Sequence, residues 1–439
     1  MSSASVAAPP ARLVAPRTRP SAAQQQRDTA AAGSDGRRPE RAPSMDPLSD
    51  KATLMLIRRV LCPQKLSEKD RDVVTPIEEL LPSLTSRNDV DLQLYAFLAI
   101  IIRDFVQAWY NKITPDETFV AEVLQVIAHC SRALEQRFRT LDVESLVLDE
   151  IPDLLDKHIA AYRTSHDPVS QEPVAVNPRQ VYHALCPLPQ LSPVPQKGDQ
   201  SSFEEQQENE SAYRQLLVQA VLAILLPTED LENPCLTAIV GQIFSELIVG
   251  NILAGKASQP WLLYESICIA GRVLGEKKTR ATQRMVSGRH TPPALVLLGT
   301  RLLSHYIQQL FSASHLPGLL RTLRGVLFPN NALGKSTLAP PSSDDEFVAL
   351  RKRAAGALLG LLPTGVAKVY LGSKSGDSPE AAAAQEDDMV DGMAHLLMVL
   401  NDEYCNKHLM YSVLELILVR LMPELSEKGV CELWEERLG

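Results

Sequence analysis

The sequence predicts an all-α protein. From Leu54 onward, strict alternation of apolar and polar residues over six or more positions, the pattern of a half-buried strand, is almost absent. Apolar residues instead recur three and four positions apart, as they do on one face of a helix spanning residues 94–110. Capping signals and prolines separate such segments. These three observations predict helices joined by turns and loops.

Length and composition predict a globular body of two or three domains. The chain has 439 residues, of which 45% are hydrophobic and 22% charged, enough to bury a large core. The net charge is −9; residues 1–44 carry seven Arg against three acids, a charge of +4, so residues 45–439 carry −13. Such a body does not favour nucleic acid as a partner. The seven dispersed cysteines lack a CxxC pair, which is typical of reduced thiols in the cytoplasm.

Residues 1–44 are predicted to be a disordered tail rich in Arg, Pro and Ala. Their composition cannot bury a core, and the prolines break the amphipathic helix that the alternative, a mitochondrial targeting signal, would need. No membrane span is expected. The best stretch, Leu94–Ile102, is interrupted by Arg103 and Asp104 after nine residues, and a span needs about 20.

The elements of residues 45–275 follow from apolar periodicity and caps. After the helix 94–110, Thr114-Pro115-Asp116-Glu117 forms a capping box that opens the next helix. Pro152 starts a shorter helical segment. Residues 163–210 contain seven prolines and an acidic run, and are predicted to be a long loop. A helix opened by Asn233-Pro234 then covers residues 236–253.

A basic segment, residues 276–292, lacks apolar periodicity and ends at a proline pair. The plain interpretation is a solvated linker between domains. The sharper one is contact with anionic lipid headgroups, because each basic residue near such a surface contributes about 1 kcal/mol. The residues that would make this contact are Lys277, Lys278, Arg280, Arg284 and Arg289.

The C-terminal part, residues 293–439, contains three predicted helices and one loop. A helix covers Leu316–Leu327, and the capping box at Ser343 and Glu346 opens another. Residues 372–388 are predicted to be a loop. The last long helix, 407–421, would start after Asn406 as N-cap and end before Pro423.

Helix 407–421 is apolar on nearly every side. Only Glu415 and Arg420 are charged between its first turn and its proline stop. A helix of this kind is buried on several faces. We therefore expect it to pack against the first half of the chain.

Motifs for catalysis are absent on inspection. Gly334-Lys335-Ser336-Thr337 has Pro329 where a phosphate-binding loop needs glycine. His408 lies one turn before Tyr411 with no nucleophile nearby, which favours a structural hydrogen bond. No His or Cys spacing fits a metal site. We therefore expect no enzymatic activity, no catalytic residue, no cofactor and no metal.

Two parts of the chain resemble known domains. Asn406–Tyr411 (NKHLMY), followed by an apolar helix and Met422–Leu425 (MPEL), resembles the end of the sorting nexin C-terminal domain. Arg103–Tyr110 (RDFVQAWY), followed by Ile113–Asp116 and later Ile151-Pro152, resembles the PX-associated, or PXA, domain. The chain is similar to a short, fungal-type relative of the large sorting nexins, lacking their PX and RGS modules.

The resemblance implies a PXA domain at residues 45–275 packed against a nexin C-terminal domain at 293–439. It implies a non-enzymatic, cytoplasmic lipid-binding or lipid-transfer protein, peripherally associated with endosomal, vacuolar or ER membranes, in trafficking or at membrane contact sites. The partner would be a glycerophospholipid or a fatty acyl chain in an apolar groove between the domains. Candidate groove residues are Leu98, Ile102, Phe105, Trp109, Ile243, Phe244, Leu247, Leu414, Ile417 and Leu418. The alternative is a trafficking scaffold with a dry core that recruits protein partners.

Overall fold

The computed structural model describes residues 46–62, 75–114, 118–166, 177–196, 198–272, 316–328, 331, 339–362 and 379–438. Helices dominate these ranges, and none of the residues within them lies in a β-strand. The predicted all-α class is confirmed. The tail 1–44 and the basic segment 276–292 lie outside the described residues.

The first half of the chain contains the following helices: α1 Asp50–Leu61, α2 Ile77–Leu80, α3 Asn88–Ile101, α4 Ala108–Tyr110, α5 Thr118–Thr140, α6 Val143–Ser145, α7 Ile151–His166, α8 Pro178–Leu185, α9 Gln200–Leu225, α10 Thr228–Leu231, α11 Pro234–Gln242 and α12, residues 260–272. Three π-helical stretches continue α-helices without a break, at Ile102–Gln107, Leu146–Glu150 and Ile243–Lys256. A short 3₁₀ helix covers Pro189–Leu191.

The second half contains α13 Leu316–Leu327, α14 Asp344–Leu361, α15 Pro379–Leu396, α16 Glu403–Leu421, α17 Glu424–Glu427 and α18 Val430–Leu438. A 3₁₀ turn, Leu397–Leu400, links α15 to α16. The helix predicted at Leu316–Leu327 is confirmed. The cap at Ser343 is confirmed as well, because its hydroxyl accepts a hydrogen bond from the Glu346 amide at 3.2 Å, whereas the Glu346 carboxylate accepts from the amide of Ser342 at 2.7 Å. The predicted box at Thr114 has three of its residues, 115–117, outside the described ranges.

The loop predicted at residues 163–210 is wrong for most of its length. Helix α7 continues to His166, α8 lies inside the segment and α9 begins at Gln200. Two of the prolines begin helices, because Pro178 follows the Asn177 cap and Pro189 starts the 3₁₀ turn. Proline has no amide to satisfy at a first helical position, so it marks a start as readily as a break.

The loop predicted at residues 372–388 is wrong in its second half, where α15 already begins at Pro379. Four alanines at 381–384 make this segment a good helix former, and that propensity outweighs the acidic composition. The predicted cap of the last long helix is also wrong. Asp402, not Asn406, caps α16, accepting from the amides of Tyr404 and Cys405 at 2.8 and 3.2 Å.

Asn406 is fully buried inside α16, where it holds two other segments in place. Its amide nitrogen donates to the carbonyls of Ser258 at 3.0 Å and Leu400 at 2.8 Å. A buried amide of this kind needs such partners, because an unmet donor costs about 1–3 kcal/mol. Asn406, the first residue of the NKHLMY motif, is therefore a buried crosslink between α16 and two other segments.

Two apolar cores organise the described helices. The main core combines residues of α1, α3, α5 and α9 with Tyr404, Tyr411, Leu421 and Met422 from the C-terminal part. The predicted packing of the last long helix against the first half of the chain is confirmed. A second core joins α12, α14 and α15 around Tyr264, whose hydroxyl donates to the Leu397 carbonyl at 2.9 Å.

Candidate functional site

An apolar cleft of about 390 Å³ lies between the π-helical end of α3 and the long helix 234–256, which combines α11 with the π-helix after it. Its walls include Phe105 and Val106 on one side and Ile239, Ile243 and Leu247 on the other. The volume is within the usual range of ligand pockets. We call this pocket the apolar cleft.

Three of the ten predicted groove residues, Phe105, Ile243 and Leu247, line the apolar cleft. Phe105 is 39% exposed, which is unusual for a phenylalanine in a packed helix and places its ring at the cleft wall. Ile102 is buried in the main core, whereas Leu98 and Phe244 are half-buried against it. The side chain of Trp109 lies outside the described residues.

The three groove candidates on α16, Leu414, Ile417 and Leu418, do not line this cleft. They are half-buried and pack against the main core. The cleft therefore lies within the first half of the chain, and the C-terminal helix supports it from the core side.

A second cleft, of about 620 Å³, lies on the other side of helix 234–256. It contains the amides of Gln215 and Gln219, the hydroxyls of Thr237 and Ser245, and the indole of Trp434. We call it the amide cleft. Its lining mixes hydrogen-bonding and apolar groups, as specific ligand sites do.

A polar seam fastens α16 to α9 at the level of Glu210. Glu210 is buried and accepts from the Tyr411 hydroxyl at 2.8 Å and from the Lys407 ammonium at 3.2 Å. Arg214, one turn further on α9, lies 3.1 Å from the same carboxylate and 3.0 Å from Glu246. Buried charges need partners of this quality, because an unpaired one costs several kcal/mol. The seam therefore fixes the register of the two helices.

Three histidines meet where α16 packs against α7 and α8. His408 Nε2 lies 3.3 Å from His183 Nδ1, and His158 Nδ1 lies 2.7 Å from the Tyr182 hydroxyl. Burial lowers the pKa of His158 to about 4 and, together with the nearby His183 and His158, that of His408 to about 3. Burial also lowers the pKa of His183. These imidazoles are neutral at pH 7, which fits the structural role predicted for His408.

In the ranges that the structure describes, no group of three or more His, Cys, Asp or Glu side chains is placed to hold a metal ion. The segment Gly334–Thr337 and the basic residues Lys277, Lys278, Arg280, Arg284 and Arg289 lie outside these ranges.

Among the described helices, one is long and apolar enough to cross a membrane. It is Pro234–Lys256, with a mean hydropathy of 1.6 in a window of which 33% is buried. The prediction that Leu94–Ile102 is the best candidate stretch is wrong, because Pro234–Lys256 is longer. A core helix passes the same test, so length and composition alone do not make it a span.

Comparison with known families gives a match for the region that contains the apolar cleft. The family model described as "PXA domain" matches residues 87–270, which contain both walls of the apolar cleft. These residues are a PXA domain. The helix α16 lies beyond the match and packs onto the domain through the seam at Glu210.

Several curated proteins resemble part of the chain. PXA domain protein 1 of Schizosaccharomyces pombe is 25% identical over 44% of this chain and 36% of its own length. Human sorting nexin-13 is 21% identical over 42% of this chain and 20% of its own length. Zebrafish (Danio rerio) sorting nexin-14 is 36% identical over 16% of this chain and 8% of its own length. The similarity thus covers 36% or less of each of these relatives. No solved structure matches the chain.

The PXA domain also contains the site residues that sequence reasoning missed. The predicted loop 163–210 includes Glu210 and ends four residues before Arg214, although all of these residues lie on α9, as do Gln215 and Gln219. One signal was available, since Gln206, Glu210 and Arg214 are spaced at four residues and share a helix face. Prolines upstream obscured the helix that carries them.

Proposed function

We propose that this chain is a non-enzymatic lipid-binding protein of the sorting nexin type, acting in membrane trafficking, and that the apolar cleft holds an acyl chain. The observation that carries the proposal is the cleft of about 390 Å³, whose walls are the exposed ring of Phe105 and half-buried apolar residues of helix 234–256. Each methylene moved from water into such a site contributes about 0.8 kcal/mol. A cleft with this apolar lining that held only water would not gain this free energy.

The names of the matching proteins support this setting. They include sorting nexin-13 and sorting nexin-14, and the PXA domain family model matches the residues that form the apolar cleft. Endosomal, vacuolar or ER membranes, and transfer between them, are the proposed site of action. Binding of a glycerophospholipid or fatty acyl chain is the activity proposed for this chain.

The test is the lipid content of the purified full chain, measured by native mass spectrometry and by extraction. Asn251 is exposed and lines the apolar cleft, so Asn251→Trp should fill the cleft and leave the fold intact. Gln207→Trp, at an exposed position of α9 that lines neither cleft, is the matched control. We expect bound lipid in the wild type and the control, and its loss in Asn251→Trp. A lipid-free wild type would refute the proposal.

A second candidate function is a trafficking scaffold with a dry core. The packing of Leu414, Ile417 and Leu418 against the main core, rather than into a cleft, favours it. In that case the purified chain carries no lipid, and Asn251→Trp leaves the recruitment of protein partners unchanged.

The basic segment 276–292 is proposed to contact anionic membrane. Neutralising Lys277, Lys278, Arg280, Arg284 and Arg289 together should reduce sedimentation of the chain with acidic liposomes, because each contributes about 1 kcal/mol near such a surface. Unchanged sedimentation would leave the segment as a linker.

A further inference from the structure

The two clefts are neighbours on one helix. Ala238 and Gln242 line both of them, so a single ridge, one turn of helix 234–256, separates the apolar cleft from the amide cleft. Ala238 and Gln242 are both exposed. Neither has a large apolar side chain that would separate the two clefts. One amphiphilic ligand can therefore place its chain on one side of the ridge and its polar end on the other.

The amide cleft has a polar group that lacks a partner. Ser245 is 1% exposed, and its hydroxyl makes no hydrogen bond. Leaving such a group unsatisfied costs about 1–3 kcal/mol. A ligand with a hydrogen-bonding group at the floor of the cleft would remove that cost.

The charges around both clefts are negative. Glu232 and Glu246 are the charged side chains among the described residues that line them. Glu246 is neutralised by Arg214 and also accepts from Ser211, whereas Glu232 is exposed to solvent. The cation near Trp434 on α18, Arg437, is occupied by the carbonyls of Ala223, Ile224 and Leu226. An anionic headgroup would therefore meet a carboxylate and no available cation from the lining.

An ammonium group, by contrast, fits this lining. A carboxylate and an indole in one cleft, Glu232 and Trp434, are the two kinds of group that attract an organic cation, by charge and by the ring quadrupole. Gln215 and Gln219 supply amide donors for the oxygens of the same headgroup.

We propose that the ligand is a net-neutral phospholipid with an ammonium headgroup, whose acyl chain lies in the apolar cleft and whose headgroup lies in the amide cleft. This inference rests on the proposed lipid binding and adds to it the class of headgroup. Glu232 selects the headgroup, and the ridge at Ala238 and Gln242 is where the ligand crosses the helix.

The experiment equilibrates the full chain with vesicles containing equal amounts of phosphatidylcholine and phosphatidylglycerol with identical oleoyl chains, and measures the bound lipids by mass spectrometry. The wild type should retain mainly phosphatidylcholine. Glu232→Lys should shift the ratio toward phosphatidylglycerol by about threefold, the scale of one exposed charge pair. Glu229→Lys makes the same charge change one turn earlier, at an exposed position that lines neither cleft, and should leave the ratio unchanged.

The outcomes separate the two proposals. A wild type that binds lipid but prefers phosphatidylglycerol, or equal shifts in Glu232→Lys and Glu229→Lys, would overturn the headgroup assignment and leave lipid binding standing. A wild type that retains neither lipid would overturn both.

Discussion

Helices 234–256 and 403–421 are both strongly apolar, yet the structure uses them in different ways. The first is mostly half-buried and lies between two clefts. The second is held from within by buried polar side chains, among them Asn406, His408 and Tyr411. Apolarity alone therefore did not decide which helix would border the two clefts and which would be crosslinked through buried polar groups.

The two helices differ in how they are crosslinked. On α16, the Tyr411 hydroxyl and the Asn406 amide nitrogen each find a fixed partner on another segment, and these contacts set one docking geometry. Both helices contain buried polar atoms without a hydrogen-bond partner among the described residues, namely Asn406 Oδ1 and His408 Nδ1 on α16 and the Ser245 hydroxyl on helix 234–256. The crosslinks, rather than complete satisfaction of polar atoms, therefore make α16 the structural element of the pair.

Acid should loosen the fastened helix most. His158 and His408 have folded pKa values of about 4 and about 3, below the ordinary value of 6.5. The unfolded chain therefore takes up protons first, so the stabilisation is complete above pH 6.5 and falls as the pH drops toward the folded values. Two such groups should lower the free energy of unfolding by roughly 4 kcal/mol between pH 7 and pH 5. Denaturant unfolding at a series of pH values measures this loss.

The control for the acid effect is His408→Gln, which removes one of the two titrating groups. Its loss of stability between pH 7 and pH 5 should be about half that of the wild type. His395 is exposed on α15, and His395→Gln should retain the full effect. Identical pH profiles for wild type and His408→Gln would contradict the assignment.

Breaking the polar seam should have the next largest effect. Glu210→Ala removes the shared acceptor of Tyr411 and Lys407 and leaves Arg214 with one carboxylate, so we expect a loss of about 3 kcal/mol in the free energy of unfolding. Glu208→Ala, at an exposed position of the same helix, should cost little. Equal unfolding midpoints for the two variants in urea would show that the seam contributes nothing.

Much of the fold could be predicted from the sequence, because it rests on local signals. The class, the helix Leu316–Leu327, the cap at Ser343 and the burial of the last long helix all follow from periodicity and capping chemistry. The errors arose where one signal has two meanings. Pro178 and Pro189 begin helical turns rather than interrupting them, and Asn406 resembles a cap but lies four residues inside the helix.

The site was less predictable than the fold. Periodicity identified the two walls of the apolar cleft, and Phe105, Ile243 and Leu247 do line it. It could not show that Leu414, Ile417 and Leu418 would face the main core, because a core face and a groove face have the same composition. The amide cleft was missed altogether, since α9, α10, α11 and α18 each contribute only a few polar residues to it.

Truncations on the two helices should sharpen the comparison. Leu409→Ala, at a buried position of α16, should cost about 2 kcal/mol, at the low end for a core leucine because the side chain already borders a pocket of about 180 Å³. Ile239→Ala, at a half-buried position on the wall of the apolar cleft, should cost about 1 kcal/mol. Urea midpoints measure both. If Ile239→Ala costs more than Leu409→Ala, helix 234–256 is the better packed of the two.

The smallest effect on stability should come from the ridge between the clefts. Ala238→Gln adds a polar side chain at an exposed position, so the free energy of unfolding should change by less than about 0.5 kcal/mol, mostly through helix propensity. The same side chain projects from a residue that lines both clefts, and bound lipid in the purified protein should decrease. Stability and lipid content thus separate at this position. A stability loss comparable to that of Leu409→Ala would mean that the ridge is packed against its neighbours rather than exposed between the clefts.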